Sequence, residues 1–398
     1  MKLKLLLILA FALILSGCVG PSDSAGWNSK QKQEFLQILQ QDKYVSICEQ
    51  KALYKKVVET RNSKLMTRLL YEYTKNLANG CIVNSEGFNE YKQEVKMDYI
   101  QKRLKANYSI EKILAPYVPK YRQFNALIAH YKALKRSRKQ SAKLLKSVRL
   151  NIERVKLMKP GIGDTYALVN IPEFEIRIIE KNKTSLKMRI VIGTRKRQTP
   201  IFSEDLKYII VNPTWNVPDS IARNEVIPGI IRDSNYLRNH RLVVRKDYNL
   251  KSPALELSSL NIKNYVGGEG PVPFKFIEIP SNRNALGRVK FIFPNHHSVY
   301  MHDTPMKKLF KRKVRAYSHG CVRLGNPKYM MEFLVKNYTS TPYSDVVKKY
   351  NSKKTEYIKI TKRLPVHTAY FTAYVDERGH LKLFGDIYNL DKKQQLSF

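Results

Sequence analysis

The sequence predicts an α+β fold, in which an N-terminal helical region is followed by a mainly β domain with helical insertions. Between residues 30 and 159 the chain has few strand signals, and apolar residues from Leu144 to Val155 recur at spacings of four, four and three, as on one face of a helix. The sequence Lys-Pro-Gly-Ile-Gly at residues 159–163 ends this pattern. The chain of 398 residues, 43% of them hydrophobic, is long enough for two or three domains with a sizeable core.

The C-terminal part has the alternating pattern and turn residues of short strands. Residues 223–260 are more polar and of mixed pattern, which predicts an insertion between strands. The sequence Asp-Glu-Arg-Gly at residues 376–379 predicts the turn of a hairpin. We expect strands at residues 166–171, 174–179, 186–193, 207–212, 290–293 and 298–302, and hairpin strands at 368–375 and 381–384.

The N-terminus predicts export from the cytoplasm. Lys2 and Lys4 precede an apolar run at residues 5–15, which suits a signal-peptide core and is shorter than the roughly 20 residues of a membrane-spanning helix. The sequence Leu-Ser-Gly before Cys18 resembles a bacterial lipobox, in which the cysteine is acylated and becomes the mature N-terminus. The alternative is an ordinary secretion signal in which this cysteine occurs by chance.

The charge and the cysteines restrict the classes of partner. The chain carries 72 Lys and Arg against 33 acidic residues, a net charge of +39, which predicts an anionic partner or surface. Nucleic acid is not expected outside the cytoplasm. The sequence contains no CxxC pair, so it gives no indication of a zinc ribbon. Cys48 and Cys81 would form a disulfide in an oxidising compartment or remain two buried thiols, and the sequence leaves both possibilities open.

The segment Ala-Tyr-Ser-His-Gly-Cys-Val-Arg-Leu at residues 316–324 carries the candidate chemistry. Gly320 allows a tight turn that exposes the Cys321 thiol, and consecutive N–H groups of the turn could form an oxyanion hole. A thiol needs a nearby base or a positive field to ionise at neutral pH. His302, nineteen residues upstream at the end of a predicted strand, is one candidate base, and His319 is the other.

Two other interpretations of these residues remain open at this point. The cysteine and the histidines could have structural roles only. They could also bind zinc, because nitrogen and sulfur are its common ligands, although the spacings match no common zinc signature and acidic ligands are scarce nearby. The residues in question are His296, His297, His302, His319 and Cys321.

The sequence Ser-His-Gly-Cys-Val-Arg at residues 318–323, with His302 upstream in His-Asp-Thr-Pro, resembles the signature of YkuD-type L,D-transpeptidases. The resemblance is closest to the larger, scaffold-bearing members called YcbB-like, and it covers roughly residues 145–390. Supporting stretches lie at residues 169–174, 197–202, 212–223, 284–291, 370–376 and 386–388.

The resemblance implies a role for each motif residue. Cys321 aligns with the nucleophile and His302 with its base, whose ring a main-chain carbonyl, here that of Asp303, would orient. The oxyanion would be stabilised by the N–H groups of Gly320 and Cys321, with help from Tyr300. His319 would have a supporting role, and Arg323 and Ser318 would bind the substrate.

Together with the sequence pattern, the resemblance divides the chain into five predicted parts. The stretch from residue 215 to residue 280, where the family carries a lid, matches well only at its start, and we find no clear peptidoglycan-binding repeat in residues 30–140. The parts are a lipoprotein signal peptide (1–18), a tether (19–29), a helical scaffold region (30–160), a catalytic domain (163–346, with an insertion at about 215–285) and a C-terminal scaffold segment (347–398).

The function that the resemblance implies is peptidoglycan L,D-transpeptidation. The thiolate would attack a tetrapeptide stem, release D-alanine and pass the acyl group from a thioester to an amine, without metal or organic cofactor. Alternatives are an L,D-carboxypeptidase, transfer of stems to an outer-membrane lipoprotein and, in a different class, a non-catalytic peptidoglycan-binding tether. We expect a periplasmic protein held by a lipid on Cys18, in the outer membrane by family convention because Val19 is not Asp.

Overall fold

The computed structural model describes residues 24–84, 87–88, 91–137, 141–161 and 163–398. Cys18 and the predicted signal peptide lie outside the described residues. The chain divides into two compact units. The described residues of the first unit are 24–81, 93–118 and 397–398, and those of the second fall within 82–92 and 119–396.

The first unit is helical. Its first helix is capped by Asn28, whose side chain accepts from the Gln31 N–H while the Gln31 side chain accepts from the Asn28 N–H. Cys48 and Cys81 are joined by a disulfide, which is one of the two possibilities that the sequence left open. The α-helices are α1 (Ser29–Gln40), α2 (Lys51–Thr60), α3 (Ser63–Asn79), α4 (Met97–Lys105) and α5 (Ile110–Leu114), with 3-10 turns at Cys48–Gln50 and Ala115–Tyr117.

The second unit contains helices at both ends and strands between them. Its α-helices are α6 (Arg122–Arg136), α7 (Ala142–Lys156), α8 (Asp219–Ile221), α9 (Ile227–Arg232), α10 (Tyr236–Asn239), α11 (Pro327–Tyr338), α12 (Tyr343–Asn351) and α13 (Leu390–Lys393), with a π-turn at Ala222–Val226 and 3-10 turns at Leu257–Ser259, Ile262–Tyr265 and Lys307–Lys311. Its strands are β1 (Tyr166–Asn170), β2 (Glu175–Glu180), β3 (Lys183–Gly193), β4 (Ser203–Asp205), β5 (Tyr208–Val211), β6 (Trp215–Asn216), β7 (Leu242–Arg245), β8 (Lys275–Glu278), β9 (Val289–Ile292), β10 (Met301–His302), β11 (Ala316–Ser318), β12 (Val322–Leu324), β13 (Glu356–Lys359), β14 (Pro365–Ala369), β15 (Ala373–Val375) and β16 (Leu381–Leu383).

A mixed sheet of eleven of these strands organises the described part of the second unit. Its order is β13-β5-β9-β10-β12-β3-β2-β1-β14-β4, and β11 pairs with β3. Apolar side chains on β1, β2, β3, β5 and β9 pack with α11 into one hydrophobic core. The sheet brings β10, which ends at His302, beside β12, which begins directly after Cys321.

The segment between β5 and β9 forms a structure of its own. Strands β6, β8 and β7 make a three-stranded sheet, and a separate apolar cluster that includes Val217, Ile227 and Phe276 packs against it. Because this small core is distinct from the main one, residues 215–278 form a subdomain of the second unit.

The predicted α+β fold is confirmed, and two strand predictions are corrected. The strand expected at 298–302 is shortened to β10, because the Asn295 side chain hydrogen-bonds the main chain of Val299 and Ser298 adopts a φ of 56° in the turn. The strand expected at 368–375 is divided into β14 and β15, because the N–H groups of Phe371 and Thr372 donate to asparagine side chains and not to a neighbouring strand.

The predicted domain boundaries at residues 160 and 346 remain predictions, and they do not coincide with the division into compact units. Helices α6 and α7 lie in the same unit as the sheet, and β13 and β14 are members of the sheet itself. The secondary structure does change from helix to strand near residue 160, as the pattern indicated. No helix in the part of the chain that the structure describes is long and apolar enough to cross a membrane.

Candidate active site

Cys321 follows a tight turn between β11 and β12. Gly320 has a φ of 116°, a conformation that side chains rarely adopt, and a Cβ there would lie 3.4 Å from the Gln198 carbonyl oxygen. The Thr199 hydroxyl donates to the Gly320 carbonyl at 2.7 Å and so fixes the peptide that precedes Cys321. The Cys321 side chain is half-buried, and it is the free thiol of the described residues.

The hydroxyl of Ser318 is used inside this turn. It donates to the Cys321 carbonyl at 2.5 Å and accepts from the Gly320 N–H at 3.2 Å. Ser318 is buried, so the substrate contact predicted for it is not available from this conformation. The Gly320 N–H, predicted to face an oxyanion, is likewise engaged with Ser318, whereas the Cys321 N–H has no acceptor among the described residues.

His302 ends β10 and is buried. Its Nδ1 lies 2.5 Å from the main-chain carbonyl oxygen of Asp303, the orienting contact that the family resemblance predicted. A carbonyl only accepts, so Nδ1 carries the proton and Nε2 is left as the basic nitrogen. No hydrogen bond joins this ring to the Cys321 sulfur within the residues described.

The Asp303 side chain stabilises the loop that follows His302. It accepts from the Arg288 and Thr304 N–H groups at 2.9 and 2.6 Å and pairs with Lys307. Gly287 is required beside it, because a Cβ there would lie 2.3 Å from the carboxyl carbon.

Tyr300 lines the same cavity as Cys321. Its ring lies 5.6 Å from that of His302, and its interaction with the sulfur lowers the pKa of the Cys321 thiol. The indole of Trp215, on β6 of the subdomain, lines the same cavity as Tyr300 and Cys321.

His319 points to the subdomain and not to Cys321. Its Nε2 lies 2.5 Å from the Glu225 carboxylate, which also pairs with Arg197 at 2.9 Å. This three-residue cluster joins the π-turn of the subdomain to the turn before Cys321. Its side chains are 35–45% exposed, so the pairs add little to stability but define one wall of the site.

Strands β9, β10 and β12 set three side chains in register. His302 is the cross-strand partner of Lys290 on β9 and of Arg323 on β12. Paired residues of neighbouring strands project from the same face of a sheet, so the imidazole lies between two cations. All three, with Cys321, line a cavity of about 810 Å³.

Burial and these cations determine the resting charges. Burial and the Arg323 guanidinium lower the pKa of His302 to about 3, so its imidazole is neutral throughout the physiological range. Burial raises the pKa of the Cys321 thiol, and this rise is opposed by hydrogen bonds from Tyr300 and by the charges of Lys290 and Arg323. The unliganded site therefore holds a neutral base beside a mostly protonated thiol in a positive field.

Six of the sequence-predicted residues line one cavity, namely Tyr300, His302, Ser318, His319, Cys321 and Arg323. Gly320 and Asp303 are not among its lining residues, and Cys18 lies outside the described residues. Asp303 contributes its main chain beneath the His302 ring. Among the described residues, no group of three or more His, Cys, Asp or Glu could hold a metal ion. The sequence interpretation missed Lys290, Trp215, Glu225 and Arg197, although residues 197–202, 212–223 and 284–291 were noted as supporting stretches of the resemblance.

Comparison with known proteins agrees with this geometry. Residues 164–347 match the family model described as the YkuD L,D-transpeptidase catalytic domain. A Haemophilus influenzae protein named "Putative L,D-transpeptidase" is 29% identical over 262 residues, 65% of this chain and 50% of that protein. The chain thus spans about half the length of this curated relative.

Similar solved structures include L,D-transpeptidases from Mycobacterium smegmatis and Enterococcus faecium. The first is 11% identical, covering 52% of this chain and 58% of its own, with a TM-score of 0.24. The second is 12% identical, covering 75% and 82%, with a TM-score of 0.22. At these TM-scores the solved structures carry no argument about this chain.

Proposed function

We propose that the protein, whose residues 164–347 match the YkuD L,D-transpeptidase catalytic domain, cross-links peptidoglycan through a thioester on Cys321. The observation that carries the proposal is the set of groups lining one cavity: a half-buried thiol, a neutral imidazole of fixed tautomer and the cations Lys290 and Arg323. These are the parts that acyl transfer by a thiol requires.

In the proposed first step, the Cys321 thiol loses its proton to Nε2 of His302, and the sulfur attacks the carbonyl at the L-centre of the diamino acid in a tetrapeptide stem. A C–S bond forms, the oxyanion accepts from the Cys321 N–H, and the C–N bond to D-alanine breaks. The imidazolium returns the proton to the departing amine. Because Arg323 and Lys290 destabilise the imidazolium, this return is favourable.

The second step transfers the acyl group from the thioester to an amine of a neighbouring stem, which forms the L,D cross-link and restores the thiol. The cavity suits such anionic substrates, since Arg197, Lys290 and Arg323 line it with Glu225 as its only carboxylate among the described residues. We base two further parts of the proposal on the sequence resemblance alone: that the protein belongs to the YcbB-like subgroup, and that the helical first unit serves as its scaffold.

Purified protein incubated with tetrapeptide muropeptides is expected to yield dimers with free D-alanine, measured by mass spectrometry. Dimers support transpeptidation. Tripeptide monomers without dimers would overturn it in favour of the L,D-carboxypeptidase, in which water resolves the same thioester. Transfer to the terminal lysine of a lipoprotein peptide, supplied as a competing acceptor, tests the third alternative. If no product of any kind forms, the non-catalytic tether is the alternative that remains.

We also propose that the protein acts in the periplasm, anchored by a lipid on Cys18, with the outer membrane as the expected site. The lipobox-like sequence and the short apolar run before it support this. Cells expressing the full chain should incorporate labelled palmitate into it, and Cys18→Ala should abolish the label while Cys321→Ala, the matched control, retains it. Undiminished labelling of Cys18→Ala would contradict the anchor.

A further inference from the structure

Two cations of the candidate site have no acidic partner. Lys290 and Arg323 flank His302 in register, and within the described residues no carboxylate lies within ion-pair distance of either. The Lys290 ammonium lies 3.8 Å from the centre of the Tyr300 ring. Lys290, Tyr300 and Cys321 line the same cavity, and the charge of Lys290 lowers the pKa of the Cys321 thiol.

We propose that Lys290 is a positioning residue that stabilises the Cys321 thiolate with its ammonium, in place of the imidazolium that serves as the counter-ion in many cysteine enzymes. This proposal rests on the proposed function, because it names a further residue for the same acyl transfer.

The first argument concerns which side chain can carry the positive charge that stabilises the thiolate. A thiolate needs a nearby cation or a hydrogen-bonded environment. His302 cannot supply a lasting cation, because it is buried between two positive side chains and imidazolium there would be repelled by both. Lys290 is charged and half-buried, has no carboxylate partner among the described residues, and lies on β9 beside the strand of His302.

The second argument is how the ammonium is held. Over the Tyr300 face it gains a cation–π interaction that needs no carboxylate. An acidic partner would cancel the positive field at the sulfur, whereas an aromatic face positions the charge without cancelling it. The β9–β10 register fixes the backbone beneath it, since Phe291 next to Lys290 is fully buried and pairs with Met301.

The other charged groups of the cavity are already engaged. Across it, Glu225 pairs with both Arg197 and His319. Arg323 shares the row with Lys290 but contacts the Met306 sulfur at 3.7 Å. Lys290 is therefore the charged group of this cavity whose ammonium is held over the Tyr300 ring.

The test measures alkylation of Cys321 against pH in the full chain, with neutral iodoacetamide and anionic iodoacetate, and subtracts the same reaction of Cys321→Ala. Lys290→Met should move the inflection of the alkylation rate against pH, which reports the pKa of Cys321, upward by about one pH unit. Because a more basic thiolate is also the better nucleophile, the rate at pH 7 should fall only about threefold. The rate ratio of iodoacetate to iodoacetamide should fall as well. Lys290→Arg, which keeps the charge, should restore most of the ratio.

Lys359→Met, an exposed lysine on β13, is the matched control and should leave both profiles unchanged. If Lys290→Met does not fold, Lys290→Gln is measured in the same way. Profiles of the neutral variant that superimpose on the wild type would overturn the proposal. The alkylation uses no peptidoglycan, so a protein that fails to cross-link but shows the shift would contradict the proposed function alone.

Discussion

Replacing Cys321 with alanine is expected to lower the rate of cross-linking of tetrapeptide muropeptides by more than about 10³-fold, because the proposed reaction has no other route to a thioester. Dimers and released D-alanine are quantified over time by mass spectrometry. Within the described residues the other cysteines form the Cys48–Cys81 disulfide, so neither offers a replacement thiol.

The loss must be separated from a loss of structure. The Cys321 side chain is half-buried and small, and its removal should change the free energy of unfolding by less than about 1.5 kcal/mol. Circular dichroism and thermal unfolding of the two proteins should therefore agree. A Cys321→Ala protein that is folded and cross-links at the native rate would refute the thioester mechanism.

The same variant separates the enzyme from the tether. A non-catalytic tether would bind isolated cell wall equally well with either residue at position 321, and it would release no D-alanine in either form. An enzyme would lose product formation while its binding through basic surfaces persisted, and this binding would weaken as salt increases. Release of D-alanine is therefore the informative measurement, and binding alone does not discriminate.

The sequence was sufficient for the parts of the site that are close together along the chain. Ser318 to Arg323 form one turn and the start of one strand, and the Gly320 φ follows from local chemistry. His302 was found because its motif was recognised. The orienting Asp303 carbonyl belongs to the next residue, so it too is a local feature.

The rest depended on contacts that no local pattern carries. Lys290 lies 31 positions before Cys321, and only the register of β9 with β10 places it beside His302. Trp215 and Glu225 belong to a subdomain with its own core, so its approach to Tyr300 and His319 is a tertiary property. A charge or an indole in a strand looks the same in sequence whether or not it meets a thiol.

Which element a helix or strand packs against is likewise a tertiary property. Helix α7 looks like part of a helical scaffold, but its Arg154 and Asn151 bond residues more than 200 positions away, near β15 and α13. Periodicity shows that a helix has an apolar face, but not which element will cover it. The same holds for β14, which joins the sheet by parallel pairing with β1.

Replacing Arg177 with methionine is expected to destabilise the second unit by about 3 kcal/mol or more at pH 7. Arg177, on β2, is 1% exposed and pairs with the Glu173 carboxylate, itself 9% exposed, in the turn before the strand. Its guanidinium also lies 4.6 Å from the centre of the Tyr374 ring. Without Arg177, the buried Glu173 carboxylate would keep, among the described residues, the hydrogen bond from the neutral Asn170 amide but no positively charged partner. Urea unfolding followed by circular dichroism measures the loss.

The cross-strand neighbour provides the control. Lys187 pairs with Arg177 in register and contacts Glu175 at 2.7 Å, but its side chain is 44% exposed. Lys187→Met should therefore cost less than about 1 kcal/mol. The double variant Arg177→Met with Glu173→Gln should be more stable than Arg177→Met alone, because it leaves no uncompensated charge. If Arg177→Met and Lys187→Met lose the same free energy of unfolding, burial of the Arg177–Glu173 pair does not determine its contribution to stability.

The pH dependence follows from the direction of the Glu173 pKa. Burial raises this pKa, but Arg177 more than offsets the rise and holds it below its usual range. A lowered folded-state pKa contributes stability that is present above the unfolded value of about 4.3 and is lost as pH falls through the folded value. In Arg177→Met the hydrogen bond from Asn170 remains but the charge of Arg177 is lost, so burial is expected to raise the folded pKa and the carboxylate becomes destabilising at neutral pH. The difference in stability between wild type and variant should therefore be largest at pH 7 and shrink towards pH 4. A difference that is constant across this range would mean that Arg177 acts by packing against Tyr374 and not by its charge.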